Sequence, residues 1–397
     1  MAEKIIVPLL DLKAQYAEIR DDIAKAIDEV VSAQYFIMGP NVKALEEKIA
    51  AYCRTTFAVG CASGSDAILL ALMALDVGKG DEVICPAYTF FSTAGSIYRL
   101  GARPVFADID PVTYNIDPGH VRELAGRCRK LKAVMPVHLF GQAADMDALL
   151  AIAGEVDVPI IEDAAQAIGT EDETGARAGS RGAVGCFSFY PSKNLGAFGD
   201  GGICTMNDAA IADRIGILRV HGAESKYHHK VVGLNSRLDA LQAAILRVKL
   251  KYLDRWTEGR RRNAAHYDEA FAAAGAKTSA RPLDEEGLPL RTPAPTAENA
   301  RHIYNQYVIR VPGAIREALR QELSQKGIGT EIYYPVPLHL QECFADLGYG
   351  AGDLPHSEQA AAETIALPIY PELTERQCDH VVQTTVNFVG RHAAVRA

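Results

Sequence analysis

The sequence has 397 residues, of which 48% are hydrophobic and 23% charged, a balance typical of a globular protein with room for two domains. Its net charge of −9 argues against general nucleic-acid binding, because that function needs a basic face. The longest apolar run is far shorter than the roughly 20 residues of a membrane-spanning helix, and an acid comes too early for a signal peptide, so we expect a cytoplasmic protein.

The N-terminal half predicts helices followed by a sheet. Apolar residues at helical spacing predict helices over residues 14–34, 42–52 and 67–75. Strand-like runs then alternate with helical ones, at residues 82–85, 104–107, 133–137, 159–162, 184–189 and 202–206. Short apolar strands separated by helices imply an α/β fold whose mostly parallel sheet is covered by helices on both faces.

The C-terminal part predicts a second, smaller α/β domain. Residues 238–272 are predicted to form one long helix, and the proline-rich stretch 281–300 a linker or surface loop. After it we predict strands at 304–311 and 329–334 and helices at 315–326, 358–365 and 374–388. We therefore expect an N-terminal segment and large domain over residues 1–250 and a small domain over residues 251–397.

The stretch CFSFYPSKNLGAFGDGG, at residues 186–202, carries the strongest chemical signal. A buried strand delivers Ser188 and then Lys193 into a glycine-rich loop, where backbone can approach a ligand closely. Desolvation lowers the pKa of a lysine amine and frees its lone pair, so Lys193 is a candidate for forming a Schiff base. A solvated surface lysine is the alternative, since most lysines are exposed.

Two further stretches suit a phosphate and a charged ring. Gly64, Ser65 and Asp66 begin a helix, where free N–H groups and the helix dipole favour an anion, although an ordinary helix cap is the alternative. Asp163 follows a predicted strand, at the edge where open parallel sheets bind ligands, and Gln166 lies three residues on. An acid there can pair with a cationic ring nitrogen, or it can simply cap the next helix.

An aromatic side chain and a basic one complete the pattern. Phe90 comes after another strand and can stack on a flat cofactor or pack in the core. Asn235 and Arg237 open a helix, and the arginine fork suits a carboxylate or a phosphate. Together these parts require one ligand with a phosphate, a flat ring, a basic ring nitrogen and an aldehyde, and pyridoxal 5′-phosphate has all four.

The eight scattered cysteines include no C-x-x-C pair and the histidines no H-E-x-x-H, so no metal site is expected.

The chain resembles the DegT/StrS-like sugar aminotransferases, a branch of the fold-type I, or aspartate aminotransferase, superfamily. The resemblance runs from about Pro8 to the final helix. Its most specific motifs are ASGSDA at 62–67, EDAAQAIG at 162–169, SFYPSKNLGAFGDGG at 188–202, HGAESKYHHKVVGLNSRLDALQAAIL at 221–246 and TEIYYPVPLHLQ at 330–341.

The resemblance implies a role for each matching residue. Lys193 is similar to the lysine that forms the Schiff base with the cofactor, and Asp163 to the acid that pairs with the pyridine nitrogen. Gln166 matches a residue near the ring, and Phe90 a stacking aromatic that is often Trp or Tyr. The remaining matches are the phosphate cup (Gly64, Ser65, Ser188), an asparagine that reaches the neighbouring subunit's cofactor phosphate (Asn235), a ligand for the donor carboxylate or sugar nucleotide (Arg237) and the substrate wall (Tyr333, Tyr334).

The resemblance also implies a homodimer with shared active sites and an amino transfer from L-glutamate, through pyridoxamine 5′-phosphate, to a ketone on a nucleotide-linked hexose. Such a reaction belongs to amino-sugar biosynthesis for surface polysaccharides or secondary metabolites. We expect amination at C3, of a UDP-linked 3-oxo uronic acid or a dTDP-linked 3-keto-6-deoxyhexose, with C4 amination as the alternative. The family's 3-dehydrases carry His in place of Lys193, which disfavours that activity.

Three other functions remain to be weighed. Another fold-type I reaction, such as a lyase or an amino-acid aminotransferase, is an alternative enzyme. A non-catalytic regulatory protein with the same fold is an alternative from another class, although the joint presence of Lys193, Asp163 and Gln166 speaks against it. A plain nucleotide-binding module is disfavoured, because no glycine-rich phosphate motif of the Rossmann or P-loop kind is present.

Overall fold

The computed structural model describes residues 5–297 and 299–393. Its helices are α1 (Leu12–Ala33), α2 (Pro40–Cys53), α3 (Gly64–Ala74), α4 (Ser92–Arg99), α5 (Pro118–Ala125), α6 (Met146–Glu155), α7 (Ala209–Leu218), α8 (Ala240–Leu250), α9 (Leu253–Ala273), α10 (Gly313–Gln325), α11 (Pro355–Glu363) and α12 (Glu375–Ala393). The strands of the large sheet are β1 (Phe57–Cys61), β2 (Glu82–Pro86), β3 (Arg103–Ala107), β4 (Leu131–Val134), β5 (Ile161–Asp163), β6 (Val184–Ser188) and β7 (Gly202–Met206). Six further strands follow along the chain: β8 (Ala223–Ser225), β9 (His228–His229), β10 (Lys277–Thr278), β11 (Arg291–Thr292), β12 (Tyr307–Arg310) and β13 (Thr364–Leu367).

The large sheet is mixed and mostly parallel, as the sequence predicts. Strands β3, β2 and β4 pair in parallel, and β5, β6, β7 and β1 form a second ladder in which β7 runs antiparallel to both neighbours. Parallel bridges from Val134 to Ile160 and from Val137 to Asp163 join the two ladders. The strand order is therefore β3-β2-β4-β5-β6-β7-β1, and the carboxyl ends of the parallel strands share one edge.

Helix α3 lies at the centre of the main core. It is apolar nearly all round, with Ile68, Leu70 and Leu72 buried against side chains of the sheet such as Val184 and Cys204. A helix that is apolar on every face needs cover on every face. The sheet and helices α4 and α7 supply it, and this packing fixes the position of the helix's N-terminus at the sheet edge.

The C-terminal part builds a second core on a small sheet. Strands β10, β11, β12 and β13 pair in that order, and helices α9, α10 and α12 pack around them. Val7 joins this core from the other end of the chain, because it bridges in parallel to Ile328. Within the residues that the structure describes, no helix is both long enough and apolar enough to cross a membrane.

Three local predictions were wrong, and one strand was not predicted. That strand is β1, residues 57–61, at the edge of the large sheet. The helix predicted over 238–272 is two helices, because the chain makes a tight turn at Lys251 and Tyr252 that no glycine or proline announces. Residues 329–334 form no strand and make only an isolated bridge at Glu331. The helix predicted over 358–365 ends at Glu363, after which Thr364–Leu367 pairs with β12.

Candidate active site

Asp163 is the last residue of β5 and lies at the carboxyl edge of the sheet. Its side chain is 4% exposed, and it accepts hydrogen bonds from the Thr93 hydroxyl at 2.8 Å and the Ala165 N–H at 3.2 Å. Burial raises the pKa of Asp163 above its ordinary value, while the two hydrogen bonds and the charge of Lys193 act in the opposite direction. A cationic partner therefore stabilises the ionised form of this buried carboxylate.

Lys193 lies in the turn after β6 and faces this carboxylate. Its backbone N–H donates to the Tyr190 carbonyl at 2.9 Å, which closes the turn. Burial lowers the pKa of the Lys193 amine to about 8, and the charge of Asp163 partly offsets that effect. At this pKa roughly a tenth of the amine is unprotonated at pH 7, far more than for an ordinary lysine, and the unprotonated form is the one that acts as a nucleophile or a base.

The first turn of α3 lies against Ser188, the last residue of β6. Ser63 caps the helix by accepting the Asp66 N–H at 3.1 Å, so the ordinary cap exists, but the other first-turn N–H groups have no acceptor within the helix. A Cβ on Gly64 would lie 2.6 Å from the Cβ of Ser188, so only glycine fits there. The Ser65 hydroxyl pairs with that of Ser92 at 2.5 Å, and these hydroxyl and N–H groups form a cradle for an anion.

Gln166 connects the sheet edge to the Tyr333–Tyr334 segment. Its side-chain oxygen accepts the Phe140 N–H at 2.7 Å, and its nitrogen donates to the Tyr334 hydroxyl at 3.0 Å. The Tyr334 ring centroid is 6.1 Å from that of Phe90, whose side chain is 56% exposed. The Tyr333 carbonyl accepts a hydrogen bond from Tyr88. The rings of Phe90, Tyr333 and Tyr334 form one wall of the site.

Within the described part of the chain, Asn235 and Arg237 make no hydrogen bond to any other predicted site residue. Asn235 is exposed, and its backbone bridges to Val220. Between them, the buried Ser236 accepts the Ala62 N–H at 3.3 Å, so this segment lies beside the end of β1. The Nε of Arg237 is buried without a hydrogen-bond partner among the described residues.

The sequence analysis assigned no role to Thr93 or His138. The fully buried His138 accepts the Ala144 N–H on Nδ1, so its Nε2 carries a proton and donates to Glu162 at 2.8 Å. Burial alone would raise the pKa of Glu162, but hydrogen bonds from His138, Gly182 and Gly179 hold it below its usual value. The hydrogen bond between His138 and Glu162 holds the end of β5, which carries Asp163. His138 comes shortly after β4, and a polar residue just after a strand end is the sequence signal that could have located it.

These residues fit pyridoxal 5′-phosphate. The anion cradle suits its phosphate, the buried Asp163 suits its ring nitrogen, and the Lys193 amine suits its aldehyde. From residue 17 to residue 386 the chain matches the DegT/DnrJ/EryC1/StrS aminotransferase family. The chain belongs to this family. Pyridoxal phosphate is thus the cofactor, and the fold is that of the fold-type I enzymes, as the sequence predicts.

Individual members of the DegT/DnrJ/EryC1/StrS family are similar over nearly the whole chain. A pleiotropic regulatory protein of Geobacillus stearothermophilus is 49% identical over 98% of this chain and 100% of its own. The UDP-N-acetyl-3-dehydro-alpha-D-glucosamine 3-aminotransferase of Acidithiobacillus ferrooxidans is 40% identical over 95% of this chain and 96% of its own. Among solved structures, DesV of S. venezuelae, in complex with a ketimine intermediate, has a TM-score of 0.89 at 38% identity, covering 97% and 98% of the two chains.

Proposed function

We propose that this aminotransferase moves the amino group of L-glutamate to the C3 ketone of a nucleotide-linked hexose. The observation that carries the proposal is the buried Asp163 and the half-buried Lys193 beside an anion cradle. The relative that acts on a 3-dehydro UDP-sugar supports the choice of C3. Both proposed substrates are charged small molecules, so we place the reaction in the cytoplasm.

Asp163 and Lys193 divide the chemistry between them. When bound, pyridoxal phosphate supplies the electron sink for the electron pair released at the substrate carbon. Asp163 holds the proton on the ring nitrogen, because its buried negative charge favours the cationic ring. Lys193, with a pKa of about 8, takes the proton from the donor's Cα and later returns one to the sugar carbon.

The other predicted residues bind and orient. The cradle of Gly64, Ser65 and Ser188 holds the phosphate, and Phe90 covers the ring. Gln166 lies beside the ring and is itself held by its hydrogen bonds to Phe140 and Tyr334.

Tyr333 and Tyr334 wall the substrate space, and Arg237 takes an anionic part of a substrate. We further propose a homodimer in which Asn235 reaches the partner's cofactor phosphate, because Asn235 is exposed and bonds to no other site residue within the described part of one chain.

A regulatory role is the second candidate, since a relative at 49% identity carries that name. Amination at C4 is the alternative within the same chemistry. The discriminating experiment incubates the holoenzyme and L-glutamate with UDP- and dTDP-linked 3-keto and 4-keto hexoses, and measures the amino sugar and 2-oxoglutarate by mass spectrometry. Lys193→Ala is the inactive variant and Lys79→Ala, at an exposed lysine, its control.

We expect the 3-keto sugars to be aminated at least about tenfold faster than the 4-keto sugars, a difference of about 1.4 kcal/mol in transition-state free energy. Faster reaction of the 4-keto sugars would reassign the position of amination. No amino sugar from any of them, with tight sugar-nucleotide binding retained, would favour the regulatory protein.

A further inference from the structure

Helix α4 begins beside two parts of the candidate active site. Its first residue, Ser92, has its Oγ 2.5 Å from the Oγ of Ser65, which belongs to the anion cradle. The next residue, Thr93, donates a hydrogen bond at 2.8 Å to Asp163, the acid that suits the cofactor's ring nitrogen. Two successive residues of α4 therefore contact the groups that suit the two ends of the cofactor.

The partners of the cradle's hydroxyl groups indicate where their protons point. A serine hydroxyl has one proton to donate and two lone pairs that accept. The Ser188 Oγ accepts a hydrogen bond from the Tyr190 N–H at 3.2 Å, and a backbone N–H can only donate. This contact uses a lone pair of Ser188 and leaves its proton for another acceptor. A phosphate in the cradle is an acceptor of that kind.

The same reasoning gives the hydrogen bond between Ser65 and Ser92 a direction. The distance alone allows either hydroxyl to donate. Ser65 is exposed and Ser92 is half-buried, so Ser65 is the more accessible of the two to a ligand. A hydroxyl that contacts a phosphate oxygen must donate to it, because that oxygen carries only lone pairs. The Ser65 Oγ then accepts, and Ser92 is the donor.

We propose that Ser92 is a positioning residue for the cofactor's phosphate. It donates to the Ser65 Oγ and so directs the Ser65 proton to the phosphate, without touching the phosphate itself. Hydrogen bonds linked in this way polarise and strengthen one another. The inference rests on the proposed function, in which Ser65 belongs to the phosphate cradle, and it gives a role to a residue that the proposed function leaves without one.

The test compares pyridoxal phosphate with pyridoxal, which has the same ring and aldehyde but no phosphate. The Kd of each for the full-length apoenzyme is measured by fluorescence titration of the wild type, Ser92→Ala, Ser65→Ala and the double variant. Ser96→Ala, which removes a hydroxyl one turn further along α4, is the control. Thr93→Val tests the ring-nitrogen end in the same way. Thermal melting verifies folding.

We expect Ser92→Ala to raise the Kd for pyridoxal phosphate by about three- to tenfold, as for one neutral hydrogen bond, and Ser65→Ala to raise it by at least about tenfold. The double variant should bind within about twofold of Ser65→Ala, because Ser92 then has no hydroxyl to position. Pyridoxal binding should change by less than about twofold in all three. Ser96→Ala should affect neither ligand, and Thr93→Val should weaken both by the same factor.

Three results would overturn the proposal. Equal weakening of both ligands by Ser92→Ala would indicate general structural support, and no weakening of either would leave Ser92 without a role. Additive losses in the double variant would mean that Ser92 contacts the phosphate itself. Failure of the proposed function looks different, because the wild-type protein would then bind no pyridoxal phosphate, or would bind it and produce no 2-oxoglutarate from L-glutamate.

Discussion

At the scale of single residues, the site depends on how burial and hydrogen bonding tune two charges. Burial favours the protonated form of Asp163 and the neutral form of Lys193. The charge of each residue stabilises the charged form of the other and so partly offsets the effect of burial. The Thr93 hydroxyl, fully buried and 2.8 Å from Asp163, favours the ionised carboxylate. Asp163 must be ionised to stabilise a protonated ring nitrogen, so Thr93 acts through Asp163 as a positioning residue.

Thr93→Val removes that hydrogen bond while keeping the shape of the side chain. Loss of a hydrogen bond to a charged group costs about 1.5–3 kcal/mol, which corresponds to about one to two pKa units. The pKa of Asp163 should rise, so the acid limb of the pH–rate profile for the glutamate half-reaction should move to higher pH by at least about one unit. Thr93→Ser, which keeps the hydroxyl, should retain the wild-type profile. An unmoved acid limb in Thr93→Val would refute the role.

The Lys193 amine should show its lowered pKa in the apoenzyme. Below pH 8 it is mostly protonated and cannot attack an aldehyde, so the rate at which pyridoxal phosphate attaches should rise with pH and level off above about 8. Asp163→Asn should lower that midpoint, because the Asp163 charge raises the pKa of Lys193. Stopped-flow absorbance measures both. A midpoint near 10.5, the ordinary lysine value, would contradict this account.

At the scale of elements, the sheet edge brings together the ends of β5 and β6 and the start of α3. The contact between Gly64 and Ser188 is tight enough to set the shape of the anion cradle. Helix α3 is buried on all sides, so the cradle cannot move away from a steric conflict without disturbing the core.

Gly64→Ala should therefore distort the cradle and weaken cofactor affinity. We expect the Kd for pyridoxal phosphate to rise by at least about tenfold, a change of about 1.4 kcal/mol, as measured by fluorescence titration of the apoenzyme. Gly78→Ala is the matched control, because a Cβ there meets no heavy atom within 4 Å. Unchanged affinity in Gly64→Ala would show that the cradle does not hold the phosphate.

Much of this arrangement was accessible from the sequence. Apolar runs located β2 to β7 within a few residues, and turn residues after strand ends pointed to Asp163, Gln166 and Lys193. The tight turn at Lys251 was hidden because helical periodicity continues across it. The roles of Thr93 and His138 were hidden for a different reason: their partners, Asp163 and Glu162, lie 70 and 24 residues away, and only the fold brings them together.

At the scale of the whole molecule, we propose a large domain over residues 1–250 and a small one over 251–397, divided at the turn between α8 and α9. The proposed homodimer would add an interface between two copies of the chain. Exposed apolar side chains such as Tyr35, Phe36 and Ile37 are available for it.

Shared active sites can be tested by mixing subunits. Lys193→Ala and Asn235→Ala homodimers should each be impaired, whereas a heterodimer of the two should recover about half of the wild-type activity, because one of its sites would contain both native residues. Differently tagged chains, co-expressed and purified as heterodimers, provide the sample. If Asn235 serves the cofactor of its own chain instead, the heterodimer should recover no activity beyond the average of the two homodimers.

The most direct test of the account is the absorption spectrum of the purified holoenzyme before and after addition of L-glutamate. We expect a visible band from lysine-bound pyridoxal phosphate, its replacement by the ultraviolet band of pyridoxamine phosphate, and one equivalent of 2-oxoglutarate per site. Lys193→Ala should show none of these changes. A protein that forms no visible band even after incubation with pyridoxal phosphate, or whose band L-glutamate leaves unchanged, would contradict the proposed glutamate-dependent aminotransferase.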